Sequence, residues 1–102
     1  MPDWINVATV AEFKPGTWRL VDVDDTGVLV FNVNEQFYAI QDVCTHDGGT
    51  LSDGEMEGCE IICPRHGARF DVRTGEVTAP PAYEDVQTFP VRVEDGMVQV
   101  HG

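Results

Sequence analysis

Cys44-Thr45-His46-Asp47-Gly48-Gly49 and Cys63-Pro64-Arg65-His66-Gly67-Ala68-Arg69-Phe70-Asp71 set two thiols and two imidazoles in two short clips. A thiolate is a soft anionic donor and an imidazole a neutral borderline one, so this set suits zinc or iron and not calcium or magnesium. Structural zinc sites usually place both cysteines in one clip and both histidines in the other. Here each clip supplies one of each, which suits a site with two metals. If the cysteines hold one iron and the histidines the other, each clip spans a 2Fe-2S unit. A single zinc, or no metal, is the alternative left open by spacing alone.

The residues around the clips resemble the two cluster-binding boxes of Rieske proteins. Downstream, Thr74-Gly75-Glu76-Val77 and Ala79-Pro80-Pro81-Ala82 are similar to that family's turn and its proline loop. The resemblance covers essentially the whole chain and is nearest to the soluble bacterial Rieske-type ferredoxins of ring-hydroxylating dioxygenases. It implies an all-β Rieske fold: an antiparallel sandwich or barrel base with a small inserted cluster-binding lobe. It also implies one 2Fe-2S cluster on Cys44, His46, Cys63 and His66, and one-electron transfer from an NAD(P)H-dependent flavin reductase to a terminal oxygenase. High-potential relatives carry a further cysteine in each box that staples the loops; the matching positions here are Gly49 and Arg65. Those relatives also use a Ser and a Tyr to donate hydrogen bonds to the centre, where this chain has Ala68 and Phe70. Such bonds favour the reduced, more anionic state, so their absence points to a midpoint near the lower end of the Rieske range, about −150 mV.

A chain of 102 residues, 42% of them hydrophobic, can build one core, with room for two lobes sharing it but not for a second catalytic domain. No apolar run approaches the ~18 residues needed to span a bilayer, and Met1-Pro2-Asp3-Trp4-Ile5-Asn6 lacks a basic patch leading into one. A cytoplasmic protein, monomeric when free, is expected. With two of three cysteines claimed as ligands, Cys59 has no partner for a disulfide, which fits a reducing compartment; its expected role is packing. Eighteen acidic against six basic residues give a net charge of −12, which argues against nucleic acid and equally suits docking to basic surfaces or simple solubility.

Short strands punctuated by turns are expected throughout. Trp18–Val23 and Val28–Val33 flank Asp24-Asp25-Thr26-Gly27, Asn34-Glu35-Gln36 turns into Phe37–Ile40, and Glu94-Asp95-Gly96 joins Val91–Val93 to Met97–Val100. Thr9-Val10-Ala11-Glu12 is a capping-box pattern that Pro15-Gly16 limits to about one turn. Both clips follow apolar runs, Phe37 to Val43 and Glu60–Ile62, so each leaves a strand end as a loop. The expected single domain, residues 1–102, divides into a base lobe (1–40 and 83–102) and a cluster-binding lobe (41–82).

No nucleophile and base pair, phosphate-cradling glycine loop or separate mononuclear iron site is visible, so the chain reads as a carrier and not an enzyme. Asp47, Asp53, Glu55 and Glu57, between the clips, are the candidate docking carboxylates. Arg65 and Arg69 are expected in salt bridges, to Asp71 or another neighbour, with local positive charge beside the cluster as the alternative role. Gly48, Gly49, Gly58 and Gly67 offer backbone freedom and close approach around a cofactor. Two rival functions share some of these features: the small Rieske-like subunit of an assimilatory nitrite reductase, and a zinc-stabilised interaction module.

Overall fold

The computed structural model describes residues 4–102. Among these, eleven strands follow in chain order: β1 (Ile5–Thr9), β2 (Trp18–Val23), β3 (Thr26–Val33), β4 (Gln36–Gln41), β5 (Glu55–Glu57), β6 (Glu60–Ile62), β7 (Arg69–Asp71), β8 (Val77–Ala79), β9 (Thr88–Phe89), β10 (Val91–Glu94) and β11 (Met97–Val100). They pair antiparallel into three sheets, ordered β1-β11-β10, β2-β3-β4-β9 and β5-β6-β7-β8.

Strand β3 organises the rest. Its run Val28-Leu29-Val30-Phe31-Asn32-Val33 is buried at every position, so both faces of the second sheet are covered. Because side chains alternate along a strand, the two faces serve two cores. Leu29, Phe31 and Val33 pack with Ile40, Leu51, Ile61 and Phe70 on the side of the third sheet. Val28 and Val30 pack with Phe13, Ala39, Val98 and Val100 on the side of the first. The second sheet is therefore a shared middle layer, and the metal-ligating candidates Cys44 and Cys63 fall in the core it makes with the third.

Register along the middle layer is fixed by two tight turns. Asp24-Asp25 (φ 50° and 65°) and Asn34-Glu35 (φ 52° and 69°) have positive φ at both central residues, the two-residue geometry whose twist matches flanking strands. This corrects the sequence reading in one respect: the first turn is Asp24-Asp25 alone, and Thr26-Gly27 already belong to β3, opposite Val23 and Asp22. The final hairpin turns at Asp95-Gly96 (φ 50° and 77°), as expected. At Thr9 a single turn forms, with the Glu12 and Phe13 amides donating to the Thr9 carbonyl at 3.1 Å, and no helix follows. Strand β4 stops at Gln41, two residues before the end of the apolar run, because Asp42 and Val43 already bend towards the first clip.

Asn32 is the one polar residue in the β3 run, and 2% exposed. Its Nδ2 donates to the Phe13 carbonyl at 2.6 Å and its Oδ1 accepts the Glu35 amide at 2.8 Å, so it holds the 13–17 connection against the hairpin. Asn32→Ala orphans both groups in a buried site and is expected to lower the unfolding free energy by about 1–3 kcal/mol. Denaturant titration checks this; an unchanged midpoint would refute the anchoring role.

Candidate metal centre

Two loops carry the candidate ligands. The first leaves β4 and the second leaves β6, and they fold with the same backbone pattern. The Cys44 amide donates to the Gly49 carbonyl (2.7 Å), and the Gly48 amide donates to the Cys44 carbonyl (2.8 Å). In the second loop the Cys63 amide donates to the Ala68 carbonyl (2.7 Å), and the Gly67 amide to the Cys63 carbonyl (3.1 Å). Gly48 and Gly67 close these turns at φ 75° and 78°, in the left-handed region where a side chain is strained. A Cβ at either would meet nothing within 4 Å, so conformation and not close approach demands glycine there.

The shared pattern aims backbone donors at the sulfurs. Cys44 Sγ faces the N–H groups of His46 and Asp47, and Cys63 Sγ those of Arg65 and His66. Cys44 is 0% exposed and Cys63 1%. Burial opposes ionisation of both thiols. At Cys44 burial prevails and its pKa is raised; at Cys63 it is outweighed by the Arg65 and His66 amides, the Cys44 thiol and the Arg65 charge, and the pKa is lowered. Of the two thiols, Cys63 therefore gives up its proton more readily, beside a Cys44 thiol placed to donate to it.

The imidazoles sit differently. His46 and His66 are exposed and pair edge to face, with ring centroids 5.2 Å apart and an interplanar angle of 89°. Ligand atoms of Cys44, Cys63 and Asp47 lie within 4.8 Å of one another, a set that includes neither histidine. Asp47 is already engaged: Arg65 Nε and Nη2 donate to its two oxygens at 2.6 and 3.1 Å, and the Gly49 amide to Oδ1 at 2.9 Å. These bonds, Arg65 first, hold its carboxyl well below the usual range. What remains is a buried sulfur pair and an exposed imidazole pair. One tetrahedral ion would need all four donors to converge, whereas two adjacent irons need two pairs, so the donor set fits a 2Fe-2S cluster.

The sequence matches the Rieske [2Fe-2S] domain over residues 3–90. The chain belongs to that family. It is 36% identical over 98 residues to the ferredoxin component of the naphthalene 1,2-dioxygenase/salicylate 5-hydroxylase systems of Ralstonia sp, covering 96% of this chain and 94% of that one. Among solved structures, the ferredoxin of carbazole 1,9a-dioxygenase from Nocardioides aromaticivorans IC177 superposes with a TM-score of 0.91 at 37% identity, covering 96% of each chain. A chain in a complex of reduced oxygenase and oxidized ferredoxin in carbazole 1,9a-dioxygenase gives 0.92 at 39% identity, covering 97% of this chain and 93% of that one. No helix among the described residues is long and apolar enough to cross a membrane.

Within this Rieske domain the other sequence candidates sort by contact. The positions matched to the staple cysteines of high-potential relatives do meet: the Arg65 guanidinium lies against Gly49. Asp71 is taken by Arg73 (2.8 Å), so Arg69 pairs with Glu57 (3.1 Å) and Glu60 (3.2 Å) instead. Of the expected docking carboxylates, Asp47 and Glu57 are thus committed to arginines, while Asp53 and Glu55 are exposed. Ala82, just past the cis Pro80-Pro81 bond, is buried in the core that holds Cys44 and Cys63, and Cys59 packs at its edge. Trp4 packs edge to face with His101 and carries the Arg92 guanidinium over its ring.

Two positioning residues escaped the sequence reading. Asp42 accepts the Leu51 and Ser52 amides (2.7 and 2.8 Å) and the Ser52 hydroxyl (3.0 Å), bracing the first loop from behind. Thr45, between two candidate ligands, donates its hydroxyl to the Glu84 carbonyl (2.7 Å) and ties the proline loop to the first clip. Neither has a signature in the linear pattern, because all but one of the partners, the Ser52 hydroxyl, are loop backbone groups. Thr45→Val is expected to speed hydrogen exchange at the Val86 amide, which closes on the Gly75 carbonyl at 2.8 Å, by about threefold to tenfold. Unchanged exchange there would show that the proline loop is held by other means.

Proposed function

We propose that this chain is a cytoplasmic one-electron carrier, monomeric when free, that accepts an electron from an NAD(P)H-dependent flavin reductase and delivers it to a terminal ring-hydroxylating oxygenase. Cys44 and Cys63 would hold one iron of the cluster and His46 and His66 the other. Residues 41–82 would form the cluster-binding lobe, and 1–40 with 83–102 the base lobe. The observation that carries this reading is the division of the donors, with buried sulfurs behind and exposed imidazoles in front. When bound, the cluster supplies a one-electron couple at higher potential than an all-cysteine centre, because neutral imidazoles leave it less negative.

The protein's own residues then do three things. The loop amides on each sulfur stabilise negative charge where an added electron puts it. Burial by Leu51, Phe70 and Ala82 keeps water from the sulfurs. The exposed His46 and His66 edges give a partner a short approach, and Tyr83, 85% exposed, stands on the loop that Thr45 ties down. Exposed Asp53, Glu55 and Glu84 leave the surroundings acidic, which suits a basic surface on the reductase or oxygenase.

The decisive experiment is EPR of the dithionite-reduced protein with iron, sulfide and zinc analysis. A rhombic Rieske-type signal with about two irons and two sulfides per chain is expected; one zinc and no signal would overturn the proposal. Ala68, fully buried beside the sulfurs, offers no hydroxyl. Ala68→Ser is expected to raise the midpoint by about 20–60 mV, the one-electron equivalent of a single net hydrogen bond. A titration showing no rise would remove hydrogen bonding at this position as a determinant of the potential.

A further inference from the structure

We propose that Asp47 and Arg65 form an ionic clasp across the two ligand loops, seated on Gly49, which keeps the loops closed over the centre and balances the charge beside it. This inference rests on the four-ligand reading above. Its geometry is independent of that reading. Arg65 presents a fork to the Asp47 carboxylate, with Nε 2.6 Å from Oδ2 and Nη2 3.1 Å from Oδ1. The carboxylate is already fixed to its own loop by the Gly49 amide at 2.9 Å, so it meets the arginine with little freedom left to lose.

Gly49 explains why the fork can reach. An added Cβ would lie 2.6 Å from both Cζ and Nη2 of Arg65. Gly49 is not in the left-handed region, so contact and not backbone conformation requires glycine here. A side chain at this position would be relieved by moving the arginine, because the arginine is flexible and the backbone is not. Among the described residues the other ion-paired arginines hold different ground: Arg69 bridges Glu57 and Glu60 of the third sheet, and Arg73 closes on Asp71 two residues away.

The clasp also places two opposite charges beside the ligands. An Asp47 oxygen lies within 4.8 Å of both sulfurs, and its Oδ2 is 4.0 Å from His66 Nε2. The guanidinium cancels most of the field of that carboxylate. Removing either partner leaves one uncompensated charge next to a group that becomes more negative on reduction. A lone carboxylate disfavours the reduced state and a lone guanidinium favours it, so the two deletions act with opposite sign.

The test uses cluster-loaded protein at neutral pH: the parent, Arg65→Gln, Asp47→Asn, the double variant, Arg65→Lys and Gly49→Ala. Midpoint potential and the rate at which the visible absorbance bleaches are read at low and high salt. Arg65→Gln is expected to lower the midpoint and Asp47→Asn to raise it, with the double variant returning close to the parent. Arg65→Lys should hold the midpoint while bleaching several-fold faster, since it keeps the charge and loses the fork. Gly49→Ala, with net charge unchanged, should bleach several-fold faster than the parent and lose the salt dependence that the parent shows. Midpoint shifts of one sign in both single variants, or a Gly49→Ala protein identical to the parent in rate and salt response, would overturn the clasp while the parent's centre stands. A parent that carries no two-iron centre would instead overturn the four-ligand reading, and the clasp's role with it.

Discussion

Two sulfurs buried side by side impose the constraint on which the rest of this structure depends. Cys44 and Cys63 are at most 1% exposed, and two thiolates in such a place repel each other while forfeiting hydration. The compensation is local: two backbone amides from the following residues point at each sulfur. That requirement dictates the tight loop after each cysteine, and the loop dictates glycine at Gly48 and Gly67, whose φ of 75° and 78° lets the chain double back. Both loops must also start close together, which is why one leaves the middle sheet and the other the third, over a core that the two sheets share.

The loops repeat each other in backbone and differ by one residue in the position of the imidazole. His46 follows its cysteine by two residues and His66 by three, yet the hydrogen bonds from each cysteine to the fourth and fifth residues beyond it are the same. The ring directions therefore cannot repeat, and the two imidazoles meet edge to face at 89°. A fixed backbone frame thus serves the sulfurs identically, while the side-chain offset separates the two histidines.

What was legible in the sequence follows from the range over which each feature is determined. Donor type and spacing are local, so the two clips could be read directly, and so could the hairpins at Asn34-Glu35 and Asp95-Gly96, whose turn residues tolerate positive φ. Strands β5, β7 and β8 could not, because three residues carry no periodicity and their pairing comes from the loops between them. Side-chain pairing was harder still. Asp71 looked available to Arg65 or Arg69 until Arg73, two residues away, is seen to close on it at 2.8 Å. Asp47 read as a free carboxylate because its partner stands 18 residues on and is brought near only by the approach of the two loops.

The same pairing changes what the net charge of −12 means. A total says nothing about where charge lies, but the basic residues here are few and half of the six are engaged: Arg65, Arg69 and Arg73 pair with Asp47, Glu57, Glu60 and Asp71, three positive charges against four negative. Carboxylates such as Asp53, Glu55 and Glu84 have no such partner among the described ion pairs and face solvent. Beside the imidazoles, by contrast, the Asp47–Arg65 pair nearly cancels. The molecule thus combines a long-range negative field, which falls off over a Debye length of ~8 Å at physiological salt, with a charge pair that nearly cancels beside His66. A partner with a basic surface would thus be drawn in at range without charges having to be desolvated beside the imidazoles.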